Sequence, residues 1–225
     1  YQTGMSLNYD AVLWDMDGTL VDTEPYWMAA ETELMAVHGL EWTHEQAMLM
    51  VGNELTTSAD IMRSFGLPLA TDEVVQTLLR GVIERVRESI PFRPGAQELI
   101  GSLADAHVPM ALVTMSYRPL AQAVVDGLPE GTFRTLITGD EVTKGKPDPE
   151  PYLKGASALD VAPSACIALE DSVPGMASAI AAGTLTVGIP NHVPLEEQPG
   201  AVLVQTLDGL NAQSLGNLVQ PLQRS

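Results

Sequence analysis

Two aspartates stand two positions apart in Asp15-Met16-Asp17-Gly18-Thr19, directly after a short apolar run, Ala11-Val12-Leu13-Trp14. Carboxylates this close repel each other, by about 4 kcal/mol for unit charges roughly 4 Å apart at an effective dielectric near 20. A cation, a proton or separation into water must relieve that repulsion. A hard divalent ion that takes oxygen ligands, such as Mg²⁺, does so naturally. Gly18 lets the backbone turn sharply and approach a ligand. Taken alone the pattern is ambiguous, because exposed acidic turns, glycosyltransferases and calcium loops also carry Asp-x-Asp.

Three further segments supply polar groups suited to chemistry. Thr114 and Ser116 stand at the end of a largely apolar run, 108–114. Lys146 lies in Thr143-Lys144-Gly145-Lys146-Pro147-Asp148-Pro149, ahead of an expected helix. Glu170-Asp171-Ser172 follows the apolar run 166–169. Ser, Thr and Asp after a strand are the usual helix caps, so any one of these has a purely structural explanation. All of them in this order are much harder to explain by capping. If the runs are parallel strands, their carboxyl ends share one edge of a sheet, which is where open α/β sheets bind ligands. Lys144 lacks the following proline and reads as a solvated loop charge. Lys154 reads as a surface charge on a helix. His38, His44, His107 and His192 show no ligand spacing and read as surface or cap residues.

The elements that must position these groups fall into two kinds. Strands are expected at 11–14, 108–114, 136–138, 166–169, 185–189 and 201–204. Helices are expected between them at 96–106, 120–127, 151–159, 174–182 and 210–219. Alternating strand and helix implies right-handed β-α-β units and a parallel sheet covered on both faces. Residues 22 to about 90 differ, with helices expected at 24–38, 43–50, 56–65 and 71–89 and no strand patterning. Val74, Val75, Leu78, Leu79, Ile83 and Val86 form the buried side of the last of these. Met48, Met50 and Met62 are assigned to the core of this segment. Pro91-Phe92-Arg93-Pro94-Gly95 breaks the helical pattern. The expected architecture is therefore an α/β core, 5–21 and 94–225, with a doubly wound parallel sheet. A helical insertion, 22–93, is joined to it by two chain crossings that make a natural hinge.

Bulk properties narrow the function. At 225 residues and 45% hydrophobic the chain can bury one sizeable core or two linked ones. A net charge of −18 argues against nucleic acid and anionic membranes as partners. No apolar run approaches the roughly 20 residues that span a bilayer. The first residues lack the basic-then-apolar layout of a secretory signal, and Tyr1-Gln2-Thr3-Gly4 is set aside from the fold reasoning. The lone Cys166 lies in an apolar run and reads as a core residue, which fits a reducing cytoplasm.

The four polar segments together resemble the motifs of the haloacid dehalogenase superfamily of aspartate-nucleophile phosphohydrolases, and the resemblance covers nearly the whole chain. It implies that Asp15 is the nucleophile and that Asp17 is the general acid and base, a group phosphatases need and dehalogenases do not. It implies that Thr114, with backbone N–H groups near Met115 and Ser116, binds the phosphoryl group, and that Lys146 neutralises charge. Mg²⁺ would be held by Asp15, the Asp17 carbonyl and Asp171, with Glu170 acting directly or through water. Four carboxylates against one lysine would repel a phosphate dianion, so an ion is expected.

The helical insertion resembles the cap of the β-phosphoglucomutase-like branch. Asp22-Thr23-Glu24-Pro25 is similar to the Asp-Ser-Glu-Pro of its sugar-phosphate phosphatases, and Gly52-Asn53-Glu54 to the cap loop facing the active site. Gly18, Glu24, Gly52 and Asn53 are thus candidate substrate contacts. Trp27 stands where the mutase has a histidine, and Leu55 where it has an arginine. Both departures favour a simple phosphatase over a mutase. The insertion contains no lysine, unlike a phosphonatase. The expectation is a cytoplasmic, Mg²⁺-dependent phosphatase of small phosphorylated metabolites, sugar phosphates first, as a monomer or weak dimer. The alternatives are a β-phosphoglucomutase-like phosphotransferase and a non-catalytic regulator on the same fold.

Overall fold

The computed structural model describes residues 6–224; the four residues set aside above lie outside that range. The chain divides into two compact units. One is Thr23–Pro91, and the other is formed by the chain up to Asp22 and from Phe92 onward.

The larger unit is built on six parallel strands: β1 (Ala11–Trp14), β2 (Met110–Val113), β3 (Thr135–Ile137), β4 (Cys166–Glu170), β5 (Leu185–Gly188) and β6 (Ala201–Leu203). Their order is β3-β2-β1-β4-β5-β6. Progress along the sheet reverses after β3, when the chain crosses back to the far side of β1. The carboxyl ends of β1 and β4 therefore flank the switch point, the position at which such sheets open a crevice for ligands. β1, β2, β4 and β5 are buried along their whole length, as expected of strands covered on both faces. β2 begins two residues later than the apolar run suggests. Pro109 has no N–H to give the ladder, and its carbonyl accepts from the Val12 N–H at 3.1 Å.

In sequence order, helices α1 to α4 belong to the insertion, and α5 (Ala96–Asp105), α6 (Arg118–Val125), α7 (Glu150–Ala158), α8 (Val173–Ala181) and α9 (Ala212–Val219) belong to the core. The alternate side chains Ala11 and Leu13 of β1, Ala111 and Val113 of β2, and Cys166 and Ala168 of β4 pack with Tyr152 and Ala156 of α7 and Ala179 of α8. Burial raises the Cys166 thiol to about 12, which makes it an inert core residue. Asn211, not Leu210, opens α9, because its side chain accepts from the Ser214 N–H at 2.9 Å.

The helical unit comprises α1 (Glu24–Val37), α2 (His44–Met48), α3 (Leu55–Ser64) and α4 (Thr71–Glu88). Thr43 caps α2 through a capping box with Gln46. The α4 stripe Val74, Val75, Leu78, Leu79, Ile83 and Val86 is buried as its spacing predicts, and Val82 joins it. α1 and α4 pack closely because Gly81 faces Ala30, with a Cβ at Gly81 falling 3.2 Å from that of Ala30. Arg85 ties the pair by donating to Glu33 at 2.8 Å. Met50 and Met62 are buried, but Met48 is half exposed, because the short α2 turns Ala47 inward instead. Glu31 of α1 is 3% exposed, and neither of its carboxyl oxygens has a hydrogen-bond partner. Burial, helped by the charge of Glu24, raises its carboxyl to about 8.

No helix among the described residues is long and apolar enough to cross a membrane.

Candidate active site

The site begins where β1 ends. The Asp15 N–H still donates to the Leu169 carbonyl of β4 at 3.0 Å, so Asp15 is the first residue beyond the strand and remains tied to the ladder. The chain then folds on itself. The N–H groups of Leu20 and Val21 return to the Met16 carbonyl at 3.0 and 3.1 Å, and the Gly18 N–H donates to Val21 at 2.7 Å. Gly18 has φ +89°, and a Cβ there would collide with the Asp171 carboxylate. Glycine is required at this position by backbone conformation and by space.

Lys146 arrives from the loop before α7. Its side chain is 6% exposed, and all three ammonium protons have acceptors. Nζ donates to Asp15 Oδ1 at 2.9 Å, to Glu170 Oε1 at 2.6 Å and to the Val113 carbonyl at 2.9 Å. Burial alone would lower its pKa, but the charges and hydrogen bonds of Asp15 and Glu170 outweigh that and hold it above the ordinary lysine range. Glu170, wholly buried at the end of β4, also accepts from the Tyr152 hydroxyl at 2.5 Å and, more weakly, from Ser172 Oγ at 3.4 Å. Gly175 on α8 leaves room for it, since a Cβ there would overlap its carboxylate.

Asp15, Glu170 and Asp171 place carboxylate oxygens within 4.8 Å of one another. Thr19 Oγ1 lies between two of these residues, 2.8 Å from Asp15 Oδ2 and 3.3 Å from Asp171 Oδ1. Burial and the Asp15 charge push both Glu170 and Asp171 upward. Lys146 offsets only part of this negative charge. The donor set, hard oxygens from three carboxylates, suits a divalent cation of the magnesium or calcium kind.

Asp17 takes a different direction. Its Oδ2 accepts from Ser116 Oγ at 2.6 Å and from Thr114 Oγ1 at 3.2 Å, while Thr114 Oγ1 itself accepts from the Ser116 N–H at 3.0 Å. The two neighbouring aspartates are thereby separated: Asp15 faces the lysine, and Asp17 faces the hydroxyls at the end of β2. Met115 lies against the lysine loop, its sulfur accepting from the Lys146 N–H at 3.3 Å. The Ser116 amide, expected to be a phosphoryl donor, is directed to Thr114 here.

The structure thus brings together Asp15, Asp17, Gly18, Thr114, Met115, Ser116, Lys146, Glu170 and Asp171. Glu24, Gly52 and Asn53 belong to the helical unit. Gly52 has φ +81°, and the Asn53 amide donates to the Leu49 carbonyl at 2.7 Å, closing the turn after α2. Sequence reasoning missed the roles of Thr19 and Tyr152. Thr19 is visible in Asp-x-Asp-Gly-Thr, four residues after Asp15, but Tyr152 looks like any aromatic on the inner face of a helix.

A parallel sheet whose switch point gathers a lysine, an acidic cluster with the donor set for a divalent cation and a separately held aspartate has the makings of a hydrolytic enzyme site on a doubly wound α/β fold. The sequence profile described as "haloacid dehalogenase-like hydrolase" matches residues 9–183, and the chain belongs to that family. It is 32% identical over 207 residues to hexitol phosphatase A of Escherichia coli K12, covering 85% of this chain and 88% of the relative. It is also 32% identical over 184 residues to a bifunctional riboflavin kinase/FMN phosphatase of Arabidopsis thaliana, covering 80% of this chain but spanning only 48% of that longer protein. The crystal structure of CbbY from Rhodobacter sphaeroides in complex with phosphate superposes with a TM-score of 0.77. Its identity is 27%, and the match covers 92% of this chain and 99% of CbbY.

Proposed function

We propose that this enzyme is a Mg²⁺-dependent phosphatase of small phosphorylated metabolites, sugar phosphates first among them, working through an aspartyl-phosphate on Asp15. The observation that carries this reading is the division of labour between the two aspartates: Asp15 on Lys146, and Asp17 on Thr114 and Ser116. Phosphate-ester hydrolysis needs a nucleophile and a separate proton donor, each with its own electrostatic partner.

On this reading an Asp15 oxygen attacks phosphorus and the bond to the leaving oxygen breaks. Asp17 gives its proton to that oxygen. Asp17 then takes a proton from the water that cleaves the aspartyl-phosphate, restoring Asp15 and freeing inorganic phosphate. Lys146 balances the charge of Asp15 and of the transferring phosphoryl oxygens. Thr114 and the backbone near Met115 and Ser116 would turn from their present acceptors, Asp17 and Thr114 Oγ1, to supply donors for those oxygens, and Gly18 would let the chain approach them. Mg²⁺, held by Asp15, the Asp17 carbonyl and Asp171 with Glu170 beside them, would supply charge neutralisation at the phosphoryl group. Glu24, Gly52 and Asn53 of the helical unit, acting as a cap, would select the leaving group.

The hexitol phosphatase relative and the phosphate-bound CbbY neighbour support a small phosphorylated substrate. The net charge of −18 disfavours nucleic acid. The inert, buried Cys166 fits a cytoplasmic protein, and we propose a monomer or weak dimer.

The test is a phosphate-release screen over sugar phosphates, nucleotides and phosphoglycolate, with and without a chelator. Release should require the metal and fall by at least about 10⁴-fold in Asp15→Asn. A variant that kept most of the activity would remove Asp15 from the nucleophile's role. Interconversion of glucose 1-phosphate and glucose 6-phosphate with a bisphosphate primer would favour the mutase instead.

A further inference from the structure

Tyr152 is buried on α7, six residues after Lys146, and its ring packs among Leu13, Val113, Ala156 and Leu159. The ring is explained by that apolar cluster, and phenylalanine would serve it equally well. The hydroxyl is not explained by packing. It donates at 2.5 Å to Glu170 Oε1, the same oxygen that accepts from Lys146 at 2.6 Å. The ammonium nitrogen also lies 5.1 Å from the centre of the Tyr152 ring, on its face.

Glu170 is where this matters. Among the described residues its other oxygen accepts only the 3.4 Å contact from Ser172. Without a second strong donor on Oε1, the carboxylate could rotate about its last torsion, which is broad and roughly two-fold for glutamate. Lys146 would then lose one of its three acceptors and its fixed direction toward Asp15. Two charge-assisted hydrogen bonds on one oxygen hold that torsion in place.

We propose that Tyr152 is a positioning residue: acting through Glu170, it holds Lys146 against Asp15. The kinetic consequence rests on the phosphatase reading, whereas the geometric consequence does not. Tyr152→Phe removes only the hydroxyl and keeps the ring under Nζ. It should lower kcat about tenfold, the effect of losing one hydrogen bond to a charged group, with KM within about twofold. In a Glu170→Gln background the same change should cost less than about twofold, because the residue it acts through has lost its charge.

A kcat within twofold of the unsubstituted enzyme, or an equal loss in both backgrounds, would overturn the proposal. A crystal structure of Tyr152→Phe tests it without turnover: Lys146 should no longer reach both carboxylates, and an unchanged lysine would overturn it. If the unsubstituted protein released no phosphate from any substrate, the phosphatase reading would fall, and the lysine geometry would decide the positioning role by itself.

Discussion

Replacing Glu31 by glutamine isolates the one buried carboxyl in the helical unit that has no hydrogen-bond partner. In the folded chain its pKa is raised from 4.5 to about 8. Between those values the unfolded chain has released the proton and the native chain has kept it, so native stability falls as pH rises. The contribution is fully present below pH 4.5 and is lost by the time pH passes about 8. Each pH unit of that window is worth about 1.4 kcal/mol, which gives roughly 5 kcal/mol if burial is complete and roughly half that if water partly relieves it. Glutamine has nearly the same shape and cannot ionise. The stability of Glu31→Gln relative to the unsubstituted chain should therefore rise steadily from pH 5 to about pH 8 and level off above it, with the variant the more stable at the upper end. In a chain of this size a few kcal/mol corresponds to a rise in Tm on the order of 10 °C. Thermal unfolding of both proteins in matched buffers across that range reads it directly, since every other titrating group cancels in the difference. A gap that did not change with pH would refute the reasoning, because it would mean that Glu31 finds a partner or a solvent path when charged.

Two further predictions address the larger unit. Lys146→Met leaves Glu170 buried without its cation, so it should destabilise the fold by about 3–5 kcal/mol as well as abolish turnover; denaturant unfolding of the purified variant checks the first part. Thr114→Val removes one of the two hydroxyl donors to Asp17 and should lower kcat about tenfold to a hundredfold while leaving direct calorimetric binding of Mg²⁺ within about twofold.

The strands were legible because each is a short apolar run closed by polar residues, and the parallel sheet followed from their alternation with helices. Element ends were less legible. Pro109 delays β2, and Asn211 starts α9, for reasons of single donors and acceptors that periodicity does not carry. The convergence of Asp15, Lys146, Glu170 and Asp171 was legible because all four lie at strand ends or in the loop before a helix, where the topology alone brings them together. What could not be read was the third partner in each contact. The motif places the Thr19 hydroxyl near Asp15 but not its second contact with Asp171, and nothing around Tyr152 distinguishes a phenol on a carboxylate from one more core ring. Glu31 shows the converse case. A charged residue in a helix that also carries Glu24 and Glu33 reads as solvated, and only packing reveals it as buried.

The hydrogen bond from Asp15 to Leu169 has a consequence for how this architecture diversifies. β1 and β4 are neighbours, so the spacing between their acid-bearing tips is a property of the sheet, roughly 4.8 Å from strand to strand. Loops and inserted helices can lengthen, shorten or change their side chains without altering that interval. The interval between the two acids therefore persists while the chain around them changes.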